Sequence, residues 1–95
     1  SRKRASDILN SRGLELFEHL RKLRTEIAKE ENVPPYIIFS DKTLTDMCVK
    51  VPFNRGEMLC VNGVGENKFE RYGARFLLAI DEFTGGEKEK YSFGD

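Results

Sequence analysis

Ninety-five residues supply one domain with one modest core, too few for a nucleotide-hydrolysing motor or a two-domain catalytic cleft. Sixteen Lys and Arg balance sixteen Asp and Glu, and a formal net charge of zero excludes the uniform electrostatic grip of a basic nucleic-acid coat. The charged start SRKRASD leads into no apolar stretch, and no run approaches membrane-spanning length, so a secretory leader and a membrane partner are both excluded from expectation.

The charge is unevenly spread, because residues 1–24 hold seven Lys or Arg against three Asp or Glu. Any nucleic-acid contact is therefore expected as a local, salt-sensitive patch. Residues 1–12 read as a basic linker, residues 13–83 as the folded helical domain and residues 84–95 as a flexible tail, so a piece of a longer intracellular protein is expected.

From Gly13 to Glu31 the apolar residues Leu14, Phe17, Leu20, Leu23, Ile27 and Ala28 recur at spacings of three and four, the pattern of one face of a long helix. Pro34 and Pro35 end it. The apolar run from Tyr36 to Phe39 has no partner strand elsewhere and reads as a buried connector. Ser40 or Asp41 caps a second helix through Lys50, with Leu44, Met47 and Cys48 inward, and Pro52 stops it. Asn54 with Glu57 has the form of a capping box opening a short third helix, with Met58 and Leu59 inward. In the turn VNGVGEN, Gly63 and Gly65 are expected to adopt backbone angles closed to other residues. A last helix runs from Glu66 to Phe83, its stripe of Phe69, Tyr72, Phe76, Ile80 and Phe83 reading as core. The fold class is all-α, a compact bundle of four to five helices with short loops.

Little in this chain suits catalysis. Cys48 and Cys60 lack the spacing of metal ligands and read as reduced core residues, while His19 reads as a solvated surface residue. No catalytic residue, metal site or cofactor is expected in the segment.

LFEHLRKLRTEIAKEENVPPYIIFSDKTLTDM followed by VPFNRGEMLCVNGVGENKFERYGARFLLAI resembles the helicase-and-RNase-D C-terminal domain, in the form found at the end of bacterial RecQ-type DNA helicases. The resemblance runs from Leu16 to about Ile80 and joins two motifs, VPPYIIFSD and NGVGENKFERYG, in order. It implies a helical module that helps an ATP-driven DNA helicase hold DNA during replication, recombination and repair. Sites for ATP, magnesium and any zinc would lie in parts of the parent outside this segment.

Candidate contacts follow from residues and resemblance together. Tyr36, set outward by the double proline, would stack on a base, against the alternative that it packs with Ile37 and Phe39. The resemblance favours stacking, since the matching aromatic of bacterial RecQ domains belongs to the single-strand contact surface. Gly63 and Gly65 resemble half of a helix-hairpin-helix whose amides accept a phosphate, although Glu57 and Glu66 bracket the turn. Lys68, Arg71 and Arg75 fall on one flank of the last helix, as phosphate contacts or as a solvated face paired with Glu neighbours. Lys22 faces water, whereas Arg24 lies near the apolar arc and is expected to pack its stem and pair its guanidinium. Lys42 and Arg55 sit at helix starts, where a cation opposes the helix dipole and so suggests a contact role.

The leading expectation is an accessory domain for single-stranded or partly unpaired DNA, monomeric and cytoplasmic at the bacterial nucleoid. A second is a module that docks on its helicase core or on a repair partner. A third is an RNase D-type parent acting on RNA.

Overall fold

The computed structural model describes residues 4–90, and in chain order these form α1 (Ala5–Ile8), α2 (Ser11–Glu31), α3 (Pro35–Ile38), α4 (Asp41–Lys50), α5 (Arg55–Leu59), α6 (Glu66–Lys68) and α7 (Ala74–Thr84). A π-helical turn, Phe69–Gly73, joins α6 to α7 without a break, and a 3-10 turn, Lys88–Lys90, closes the description. The fold is all-α. Of the linker and tail read from the sequence, residues 1–3 and 91–95 lie outside the described residues.

α2 is the spine. Asn10 caps it, its Oδ1 accepting from the Gly13 N–H at 2.8 Å, so the helix starts two residues before the position read from periodicity. Its far end closes on Asn32 in the left-handed region, φ 59°, with Val33 N–H bonded back to Ala28 O at 3.0 Å. Leu9 is buried against the core just before the cap. With Leu14 it occupies the two positions of a hydrophobic staple, so the stretch expected as a plain linker is folded from α1 onward.

The run from Tyr36 to Phe39 is a helical turn rather than a wholly buried connector. Pro34 is its N-cap and Pro35 its first residue, where a fixed φ and a missing N–H do no harm. Ile38 and Phe39 point inward while Tyr36 and Ile37 are exposed. α4 is capped by Ser40, whose Oγ accepts from Thr43 N–H at 3.2 Å, and buries Leu44, Met47 and Cys48 as the spacing predicts. It ends on Val51 at φ 45°, an uncommon angle for a β-branched residue, held by full burial and by its N–H bonding Met47 O at 2.7 Å.

In α5, Asn54 Oδ1 accepts from Glu57 N–H at 2.8 Å, but Glu57 Oε1 reaches Phe53 N–H, also 2.8 Å, one residue before the box partner. Met58 is fully buried and Leu59 half-buried. Lys88 Nζ donates to the same Glu57 oxygen at 3.1 Å, and Thr84 is buried, so the start of the expected flexible tail is tied down. The Phe53 N–H, with help from Lys88, holds the Glu57 carboxyl below its usual range.

The core is centred on Phe39, which meets Phe76 edge-on at 5.1 Å and Tyr72 at 5.9 Å, surrounded by Leu16, Leu20, Ile27, Leu44 and Ile80. His19 is not a solvated surface residue, because its ring stacks on Phe83 at 4.9 Å and is half-covered.

The two cysteines differ. Cys48 is fully buried, and burial pushes its thiol up to about 12, whereas Cys60, expected in the core, is exposed where α5 turns outward. Thiol-disulfide exchange needs a thiolate and access. An aromatic disulfide reagent is therefore expected to titrate one thiol of the native chain at once and the second only on unfolding. Two equally fast thiols would contradict this packing.

Candidate nucleic-acid interface

The outward half of α3 is the most exposed aromatic surface among the described residues. Tyr36 is 69 % exposed and Ile37 40 %. Such a ring gains little from burial in the free chain, and the alternative that Tyr36 packs with Ile37 and Phe39 does not describe it: Phe39 faces the core, while Tyr36 and Ile37 face the solvent.

Cations from two helices meet the carbonyl end of this turn. Lys68 Nζ donates to Ile37 O and to Ile38 O, the latter at 2.9 Å, and lies 5.7 Å from the centre of the Phe39 ring. Arg24, buried as its place near the apolar arc predicts, donates to Phe39 O at 2.9 Å and pairs with Asp41 Oδ1 at 2.8 Å.

Behind Lys68 the rest of the basic flank is largely engaged. Arg75 grips Glu30 with two nitrogens at 2.9 and 3.3 Å, and that pairing holds the Glu30 carboxyl low. The alternative of a face paired with Glu neighbours therefore describes Arg75. Tyr72 Oη donates to Glu31 Oε1 at 2.8 Å, and burial, followed by Glu31, pushes its phenol up while the nearby Arg71 guanidinium opposes this. Arg71 itself is exposed and forms no ion pair among the described residues.

The other candidates are dispersed. Arg55 is tied to Glu66 at 2.5 Å and lies 5.2 Å over the Phe69 ring, closing the N-terminus of α6 with its own ion pair. Lys42 lines a separate groove between α1, α2 and α4, beside Asp41 and Asp46. Lys22 lines a third surface, between α2 and α7, with Leu23, Glu26, Arg75 and Leu78. Leu78 is 58 % exposed there, an apolar residue not singled out in the sequence although it falls opposite the aromatic stripe. Thus Lys68 is brought to the turn that carries Tyr36, while Lys22, Lys42 and Arg55 are not.

The two turn glycines differ. Gly63 has φ 93°, but Gly65 has φ −98° and ψ −179°, ordinary extended backbone at the N-cap of α6. A Cβ on Gly63 would lie 2.2 Å from Thr43 Oγ1, whereas one on Gly65 meets nothing within 4 Å. Gly63→Ala is therefore expected to cost about 1.5 kcal/mol from strain and crowding. Gly65→Ser, a good N-cap, should stay within about 0.5 kcal/mol of the parent chain. Urea denaturation of the two variants checks the contrast, and equal costs would refute it.

These features define a small all-α domain whose distinctive surface is a proline-started turn carrying an exposed aromatic ring. The HRDC domain family matches residues 13–80, and the chain belongs to that family. It is 51 % identical over 70 residues to the ATP-dependent DNA helicase RecQ of Bacillus subtilis, covering 74 % of this chain and 12 % of that protein. It is 36 % identical over 66 residues to the ATP-dependent DNA helicase UvrD2 of Mycobacterium tuberculosis, covering 70 % of this chain and 9 % of that protein. Among solved structures, HRDC domain 3 of Deinococcus radiodurans RecQ matches with a TM-score of 0.72 at 36 % identity, over 74 % of this chain and 92 % of that one. The chain thus spans about a tenth of the length of the curated relatives it matches. No helix of the described residues is long and apolar enough to cross a membrane.

Proposed function

We propose that this domain binds single-stranded or partly unpaired DNA on behalf of a RecQ-type ATP-dependent helicase in replication, recombination and repair. One observation carries the reading: Tyr36 stands 69 % exposed on a proline-started turn, where a base would stack on it. Arg71 adds an exposed positive charge beside Tyr72, and the neutral chain adds no general attraction for phosphate. The binding this supports is local and salt-sensitive, by a monomer at the bacterial nucleoid. On this reading ATP, magnesium and any zinc act elsewhere in the helicase.

A second reading, docking on the helicase core or on a repair partner, is favoured by one feature: exposed Leu78 in the groove between α2 and α7, rimmed by charges of both signs. Amide shift mapping with a short oligothymidine, repeated across a salt series, separates the two. DNA binding places the changes at Tyr36 and its neighbours and makes log affinity fall with log salt by about 0.7 per phosphate contacted. Changes nowhere at low salt would leave only docking.

A further inference from the structure

We propose that Lys68 and Arg24 are positioning residues for Tyr36, a two-cation clamp on the carbonyl end of α3 that holds the exposed ring in the geometry a base would meet. This rests on the reading that Tyr36 contacts single-stranded DNA.

α3 is a single turn, so its last carbonyls have no N–H partners within the helix. Those of Ile37, Ile38 and Phe39 are instead met from outside. Lys68 of α6 donates to the first two and Arg24 of α2 to the third. Three consecutive carbonyls thus each accept from a cation, the sign that suits the negative end of a helix. Core packing alone holds only half of the turn. The side chains of Ile38 and Phe39 are buried and fix the inner half, whereas Tyr36 and Ile37 face water and depend on the backbone for their placement.

The two anchors are differently supported. Arg24 is buried and braced by Asp41, while Lys68 is half-buried against the Phe39 ring. The π turn starts at the residue after Lys68. Its wider winding offsets the angular drift that residues four apart show in an α-helix, so Lys68 faces α3 while Tyr72 and Phe76 stay in the core. Lys68 therefore acts on DNA through Tyr36 rather than by holding a phosphate.

The test compares the parent chain with Lys68→Met, Lys68→Arg, Tyr36→Ala and the Lys68→Met/Tyr36→Ala double variant. Without DNA, backbone order parameters of Tyr36 and Ile37 are expected to fall in Lys68→Met and to recover in Lys68→Arg. With oligothymidine, Lys68→Met should weaken binding about three- to tenfold, as expected for a charge-assisted bond at a half-exposed site. The salt slope should not change, and the substitution should cost nothing further once Tyr36 is alanine. A slope lower by about 0.7 would make Lys68 a phosphate contact and overturn the clamp. So would an equal loss in the Tyr36→Ala background, or unchanged order parameters. If the parent chain fails to bind oligothymidine at low salt, the DNA reading falls, and the order parameters alone decide whether the clamp exists.

Discussion

Replacing Tyr36 by alanine is expected to weaken oligothymidine binding by about 5- to 150-fold, the range that corresponds to about 1–3 kcal/mol for one stacked base. The fold should hardly notice. The ring is 69 % exposed, so truncating it removes little buried surface, and the change in unfolding free energy should stay within about 0.5 kcal/mol. Tyr36→Trp, which keeps a flat aromatic face, should retain or improve affinity, and Tyr36→Leu, apolar without a π face, should not. Fluorescence anisotropy at low salt reads the affinities and circular dichroism confirms folding. A folded alanine variant with parent-like affinity would remove stacking from the account, and a leucine variant as good as tryptophan would replace stacking by plain apolar contact.

The outward placement of Tyr36 was legible in part. The double proline announces a rigid turn, and the family resemblance singles out the aromatic. The sequence does not announce that the run after Pro34 splits into an outward and an inward half, because four apolar residues in a row carry no periodicity to tell strand, helix or connector apart. The long helices were legible for the opposite reason: Phe17, Leu20 and Ile27 on α2 and Leu44 and Met47 on α4 repeat over enough turns to declare a buried face, although the fully buried Leu16 escaped that pattern and Leu14 and Leu23 are only half-buried. Even the role of Arg24 followed from its place on the wheel.

The misreadings share another cause. Leu9, Cys60 and the start of the tail were assigned from local composition, yet a staple position before α2, a place at the C-cap of α5 and a contact between Lys88 and Glu57, 31 positions apart, decide them. Likewise the basic flank of the last helix was drawn on an ideal 3.6-residue wheel. The π turn at Phe69–Gly73 breaks that wheel, and Lys68 and Arg75 meet partners 30 and 45 positions away, at Ile38 and Glu30. Gly73 was the available signal: a Cβ there would lie 2.3 Å from the Phe69 ring, and small residues permit such close approach inside a helix.

Phe76→Ala is expected to cost about 3–5 kcal/mol, the usual penalty for emptying a fully buried phenylalanine site. In a domain of this size that is a large share of total stability and lowers the melting temperature by about 15–30 °C. The ring sits edge-on to Phe39 at 5.1 Å, and Phe39 is the residue whose carbonyl Arg24 grips and whose ring lies beneath Lys68. The cavity therefore opens directly beneath the turn that carries Tyr36. A purely global loss would lower the melting temperature and leave binding by the still-folded fraction intact. Coupling through Phe39 predicts more: at a temperature where the variant remains folded, oligothymidine affinity should also fall, and Phe76→Leu, which refills most of the volume, should recover both. Thermal melts and anisotropy on the two variants decide it. A stability loss below about 1.5 kcal/mol would contradict the central place given to this ring.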